Sequence, residues 1–172
     1  MPTRIILARH GETDWNRERR WQGHADRPLN DTGREQAEAM AAELADEPIA
    51  AVYSSDLMRA HETARIVADR LGLDVSTVPG LRERRFGSWE GLQDVEVERL
   101  YPGVKGPPDG ETRAEMLGRV LESLQAIAHA NRDRTVLVVS HGGPMRAVLR
   151  HRGDARCEGP LDNCSIIDLE VD

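Results

Sequence analysis

Two short apolar runs limit what this chain can fold into. Ile5-Ile6-Leu7-Ala8 lies near one end, and Val136-Leu137-Val138-Val139 lies near the other. Unbroken runs of this length read as strands buried on both faces, and such strands need helices above and below their sheet. The sequence between them has the matching helical pattern. Thr32 and Glu35 fit a capping box that opens a helix with Ala37, Met40, Ala41 and Leu44 on one face, before Pro48 ends it. Leu57, Ala60, Ala64, Val67 and Leu71 mark a second helix, closed by Gly72. Residues 92–100 read as a short helix and 102–110, rich in Pro and Gly, as a loop. Leu117, Val120, Leu121, Leu124 and Ala128 mark a third long helix, and Pro144 suits the first turn of one running to about Arg150. Strands are expected at 4–8, 50–53, 75–78, 135–140 and 164–171. The alternation predicts an α/β chain: a three-layer α/β/α sandwich with a mostly parallel central sheet, in one domain over residues 1–172.

Ligands of such sheets bind beyond the carboxyl ends of the strands. Three places there hold residues able to bind an anion. The first strand runs into Arg9-His10-Gly11-Glu12, the second into Ser54 through Arg59, and the strand at 135–140 into His141-Gly142-Gly143. The two His-Gly steps, far apart in sequence, point to one site built from both ends of the chain. Arg59 lies about 200° around its helix from the Leu57 stripe, on the first turn, where a helix already attracts anions. Gly142 and Gly143 allow backbone to approach a ligand closely. Each feature alone is better read as a solvated arginine or a capping histidine; together they fit a phosphoryl group. Phosphoryl transfer needs positioning and charge stabilisation, and a neutral histidine can be its nucleophile. Adjacent arginines lower a histidine's pKa, which favours that neutral form. An acid for the leaving oxygen is also needed. With 30 carboxylates in the chain, composition does not choose one, and Glu12 stands as a candidate.

Other chemistries are poorly supported. Net charge is −7, with three Trp, two Tyr and one Phe, so nucleic acid is not expected as a partner. No run approaches membrane-spanning length and residues 1–20 are too charged for a secretory signal, so the expectation is a cytoplasmic protein without membrane association. Cys157 and Cys164 read as free thiols. Lys105, the only lysine, sits in Gly103-Val104-Lys105-Gly106-Pro107, which is no P-loop. Ser140 lacks the GxSxG elbow, since Val138 stands where its first glycine belongs. No HExxH-like metal spacing is present, and the oligomeric state is not legible.

The ordered set of motifs resembles the histidine phosphatase superfamily, in its phosphoglycerate mutase-like branch. It runs from Leu7-Ala8-Arg9-His10-Gly11-Glu12-Thr13 through Trp15-Asn16, Arg20-Trp21-Gln22-Gly23 and Thr32-Gly33-Arg34-Glu35-Gln36-Ala37. It continues with Ser54-Ser55-Asp56-Leu57-Met58-Arg59-Ala60, Leu81-Arg82-Glu83, Asp109-Gly110-Glu111 and Val139-Ser140-His141-Gly142-Gly143. The resemblance implies that His10 is the phosphorylated nucleophile. It implies that Arg9, Arg59 and His141 hold the phosphoryl oxygens and that Glu83 donates the proton. It places Asn16, Gln22, Gly23 and Gly142 around the phosphate or substrate, and it implies no metal and no cofactor. The chain departs from the family pattern after the acid, where Arg84 and Arg85 follow Glu83. With Arg82 they suit either a second anionic group on the substrate or pairing with nearby acids. His24 and His61 read as local hydrogen-bonding residues, and Trp21 and Trp89 as aromatics packed near the site.

The function expected is a phosphomonoesterase acting on a small phosphorylated metabolite through a phosphohistidine on His10. The alternative is phosphoglycerate mutase-type transfer. Mutases of the family carry a longer insertion between the acid and the second histidine, whereas here 57 residues separate Glu83 from His141, which favours hydrolysis. A non-catalytic phosphate-binding regulator would be expected to lack one of His10, Arg9, Arg59, His141 and Glu83, and all five are present.

Overall fold

The structure, a computed structural model, describes residues 2–172. Five strands form one sheet: β1 (Thr3–Arg9), β2 (Ile49–Ser54), β3 (Val75–Thr77), β4 (Thr135–Ser140) and β5 (Ile166–Val171). Their order is β3-β2-β4-β1-β5. All neighbours run parallel except β5, which pairs antiparallel with β1. The helices are α1 (Asp14–Arg17), α2 (Asp31–Glu43), α3 (Met58–Leu71), α4 (Asp94–Leu100), α5 (Arg113–Ala130) and α6 (Gly142–His151).

Residue alternation on β1 divides the core in two. Ile6 and Ala8 face Met40, Ala41, Ala60, Ala64 and Val67 of α2 and α3. Ile5 and Leu7 face Val120 and Leu124 of α5 and Met145, Val148 and Leu149 of α6. Both faces of β1 and β4 are therefore sealed, as their unbroken apolar runs require, and the three-layer α/β/α arrangement follows.

β1 and β4 lie side by side at the centre, with Arg9 opposite Ser140. The chain leaves β1 toward β2 on one side and leaves β4 toward β5 on the other. A crevice opens where such connections part, at the carboxyl ends of the strands. Parallel register thus brings His10 and His141 together from opposite ends of the chain.

Some local details differ from expectation. α2 starts at Asp31, and its cap is Asn30, whose side-chain oxygen accepts from Gly33 N at 2.8 Å, so Thr32 and Glu35 form no capping box. Leu57 caps α3 rather than opening it, and Gly72 ends it with φ of 68° in the left-handed region. The four-residue α1 had no periodic apolar signal to announce it. Cys157 and Cys164 are free thiols. Among the described residues no helix is long and apolar enough to cross a membrane.

Candidate active site

His10 emerges from β1 and is 3 % exposed. Its main chain is fixed on both sides, with N donating to Ser140 O at 3.1 Å and O accepting from Asn163 Nδ2 at 3.0 Å. Its ring Nδ1 lies 2.6 Å from the carbonyl of Gly11. A carbonyl only accepts, so Nδ1 carries the proton and Nε2 keeps its lone pair. Burial, then the charges of Arg59 and Arg9, hold the His10 pKa well below the usual histidine value. The ring is therefore neutral near pH 7, with one nitrogen free to attack.

Gly11 is required by close approach. A Cβ there would lie 2.4 Å from the carbonyl oxygen of Gly33 at the start of α2. Gly11 N donates to Thr63 Oγ1, which itself donates to Arg59 O one turn back along α3. The loop that carries His10 and the helix carrying Arg59 are thereby tied together.

Arg59 is 1 % exposed, against the usual fate of a lone arginine in a helix first turn. Its Nη1 donates to Ala25 O at 2.9 Å and its Nη2 to Gly23 O at 2.7 Å. Burial brings its pKa down to about 10, still cationic near neutrality. Gly23 has φ of +52°, and a Cβ there would meet Glu90 Oε1 at 2.3 Å. Arg9 reaches from the end of β1 to donate Nη1 to Leu161 O at 2.6 Å.

His141 caps α6 and is fully buried behind His10, the two rings lying edge to face at 5.1 Å. Its Nε2 lies 2.9 Å from Ser55 Oγ. Burial, then Arg59 and His10, lowers its pKa well below the usual histidine value. Arg9 Nε, Arg59 Nε and His141 Nδ1 are buried without a hydrogen-bond partner among the described residues. Buried polar atoms are ordinarily paired, so three orphans on these three side chains point to a polar ligand.

Glu83 is held by the backbone. Its Oε2 accepts from Gly143 N at 3.0 Å and its Oε1 from Arg84 N at 2.7 Å. A Cβ at Gly143 would lie 2.1 Å from Oε1, so glycine leaves room for the carboxylate. Glu12 turns elsewhere and accepts from Asn30 Nδ2 at 2.9 Å, which separates the two acids that sequence alone left equal.

Arg9, His10, Arg59 and Glu83, with Gly23 and Gly142, line a cleft of about 370 Å³, whereas His141 lies behind His10 and outside that lining. Asn16 and Gln22 also line the cleft. Thr13 Oγ1 donates to Gln22 Oε1 at 2.8 Å, and Asn16 Oδ1 accepts from Thr13 N, so both amides are oriented by one buried threonine. Trp21 lines the cleft, whereas Trp89 is buried beside it. Arg82 pairs with Asp56 through two hydrogen bonds, of 2.7 and 2.6 Å, and Arg85 donates to Asp109 O. Neither lines the cleft. His24 Nε2 contacts Glu83 O at 2.9 Å, a local role as expected.

Several supports had no sequence signal of their own. Arg119 on α5 donates to the carbonyls of Gly80, Arg82 and Glu83 and to both oxygens of Glu111. It braces the segment that carries Glu83. Arg146 borders the cleft from α6. Its position one turn beyond Gly142 was a readable hint. Among the described residues no group of three or more His, Cys, Asp or Glu is arranged to hold a metal ion.

A free imidazole nitrogen beside buried Arg59 and half-buried Arg9, with the Glu83 carboxylate on the same cleft, is an arrangement that can accept a phosphoryl group. The chain belongs to the histidine phosphatase superfamily (branch 1), which it matches over residues 5–172. It is 40 % identical over 176 residues to phosphoglycerate mutase-like protein 4 of Arabidopsis thaliana, covering 94 % of this chain and 76 % of that one. It is 38 % identical over 178 residues to a metal-independent phosphoserine phosphatase of the same plant, covering 95 % and 74 %. Its fold superposes on the crystal structure of an Entamoeba histolytica phosphoserine phosphatase in complex with 3-phosphoglyceric acid. That match has a TM-score of 0.83 and 28 % identity, over 96 % of this chain and 89 % of that one.

Proposed function

We propose that this single-domain protein is a phosphomonoesterase of small metabolites that works through a phosphohistidine on His10. The observation that carries the reading is the 2.6 Å contact of His10 Nδ1 with Gly11 O, which leaves Nε2 unprotonated beside Arg9 and Arg59. In the first step Nε2 attacks phosphorus and the P–O bond to the alcohol breaks. Glu83 is the proton donor to the departing oxygen. Arg9, Arg59 and His141 stabilise the charge on the equatorial oxygens. In the second step the Glu83 carboxylate takes a proton from water. The resulting hydroxide attacks phosphorus, releases phosphate and restores His10. Asn16, Gln22, Gly23 and Gly142 border the substrate. The names of relatives, one a phosphoserine phosphatase and one such enzyme holding 3-phosphoglyceric acid, support a small phosphate ester as substrate.

The test is rapid quenching with a labelled phosphate ester. An acid-labile, base-stable phosphoprotein should form in the wild type and be absent in His10→Ala. A variant that hydrolyses 4-nitrophenyl phosphate as fast as wild type removes His10 from the mechanism. Incubation with 3-phosphoglycerate and bisphosphoglycerate separates hydrolysis from mutase transfer. Free phosphate is expected, and rapid isomerisation with little phosphate release refutes the hydrolytic reading.

A further inference from the structure

A second cavity, of about 610 Å³, adjoins the cleft and shares Trp21, Glu83, Phe86, Gly143 and Arg146 with it. Glu83 lies between the two. Its carboxylate is where the departing oxygen takes its proton in the mechanism above, so the second cavity is on the leaving-group side of the phosphorus.

The lining has two characters. Met116 and Leu117 of α5 and Ala147 of α6 give it an apolar wall. Arg84, Arg113, Arg146 and Arg150 surround that wall, and among the described residues Glu83 is the only carboxylate in the lining. The whole chain has 30 acidic against 23 basic residues, so the cavity reverses the sign of the molecule locally. Such a concentration of one charge raises the local level of ligands of the other.

The arginines are not all occupied by the protein. The side chain of Arg113 makes no hydrogen bond or ion pair among the described residues. Arg146 directs Nη1 to the carbonyls of Cys157 and Gly159, and only that nitrogen is bound. Among the described residues the one ion pair of Arg150 is with exposed Glu158 at 3.2 Å. Arg84 lies over the Phe86 ring at 5.5 Å and donates to Glu111 O, which fixes its direction. Burial and the charge of Arg113 both lower the pKa of Arg84, a sign that like charges crowd here. An anion from outside relieves that crowding.

We propose that this cavity holds the alcohol portion of the substrate and selects phosphate esters whose alcohol bears a second anionic group beyond an apolar segment. The proposal rests on the phosphomonoesterase reading and narrows it. The apolar segment covers Met116 and Leu117. The remote anion, a carboxylate or a second phosphate, meets the arginines at the rim. The cavity is far larger than a three-carbon acid needs, so the favoured alcohol is longer than glycerate or serine.

The experiment compares two esters of nearly equal shape, 4-carboxyphenyl phosphate and 4-carbamoylphenyl phosphate, by kcat/KM. Charge-assisted hydrogen bonds to one or two arginines should favour the carboxylate by on the order of tenfold. The ratio should shrink at high salt and fall toward one in the Arg113→Gln/Arg150→Gln double variant, whose changes are at exposed positions. Among carboxyalkyl esters, phosphorylated 6-hydroxyhexanoate should exceed phosphorylated 3-hydroxypropanoate. A wild-type ratio of one or less, or a full ratio retained in the double variant, overturns the proposal. If neither aryl ester reacts while 4-nitrophenyl phosphate still phosphorylates His10, the cavity assignment fails and the phosphatase reading stands. If no ester phosphorylates His10, both fail together.

Discussion

Replacing Arg119 with Met should damage catalysis selectively, according to the leaving group. Arg119 donates five hydrogen bonds at 2.6–2.9 Å. Three go to the carbonyls of Gly80, Arg82 and Glu83, and two to Glu111. Its side chain is 23 % exposed and that of Glu111 14 %, so the pair is largely shielded and its loss is felt. Breaking a fully buried pair costs about 3–5 kcal/mol, and partial access to water reduces that here to about 2–3 kcal/mol. In a chain of this size the melting temperature should drop by on the order of 5–10 °C. Methionine keeps much of the aliphatic stem, so the helix and its packing survive. The carbonyl of Glu83 loses its charged donor, and the carboxylate loses its set position. General acid catalysis contributes about 10²–10⁴-fold, and a displaced acid should forfeit about 10²-fold of it. The assay is kcat/KM, which reports the steps through formation of the phosphoenzyme. An alkyl phosphate needs a proton on its departing oxygen and should lose the full amount. 4-Nitrophenyl phosphate, whose leaving group departs as the anion, should lose at most severalfold. Equal losses for the two esters would show that Arg119 supports the fold alone. Unchanged rates with both would show that the brace does nothing for Glu83.

Two further outcomes follow from the same geometry. Gly143→Ala should fold normally yet lose about 10²-fold on alkyl phosphates, because the new Cβ meets only the flexible end of Glu83 and expels it; a wild-type rate with an unchanged melting temperature refutes the packing argument. The lowered pKa values of His10 and His141 make stability depend on pH. Both rings stay neutral when folded but take up protons near pH 6.5 when unfolded, so the unfolded state binds more protons below that value. The urea midpoint should therefore fall as pH drops from about 6.5 toward the lowered native values, and less steeply in His141→Gln. A midpoint flat across that window contradicts neutral buried histidines.

Much of the fold was legible because its signals are local. The unbroken runs in β1 and β4, the helical stripes and the two His-Gly steps each lie within a few residues. Arg59 was legible as a residue type but not as a buried one. Its burial depends on the carbonyls of Gly23 and Ala25, more than 30 residues away, which receive its donors. Glu83 was beyond reach of spacing alone and came through the family resemblance. What distinguishes it from Glu12 is Gly143 N, 60 residues downstream, against an Asn30 amide that occupies the other acid. Arg119 carried no signal at all, since an arginine on an amphipathic helix is ordinarily solvated. The cap of α2 was misread for the opposite reason: Thr32 and Glu35 fit a motif, but Asn30 reaches Gly33 N first and starts the helix earlier.

These differences fall along a physical division of the site. His10 and His141 are fixed by the β1–β4 register, and Arg59 is tied to the His10 loop through Thr63. Sheet register permits no gradual adjustment, because a one-residue slip turns every side chain to the other face. The phosphoryl half is therefore rigid, which suits a transition state whose geometry does not change with the alcohol. Glu83 and Arg84 stand in a connection between β3 and α4, held by Arg119 of α5 and by the carbonyl of Glu111 rather than by a ladder. That connection and the outer faces of α5 and α6 also line the larger cavity. Substitutions there can reshape the leaving-group side without moving the nucleophile or its arginines. On the proposed reading, substrate choice and phosphoryl chemistry are carried by different parts of the fold, joined at the Glu83 carboxylate. A change in substrate preference should accordingly map to Arg84, Arg113, Arg146 and Arg150, and a loss of phosphoenzyme to Arg9, His10, Arg59 and His141.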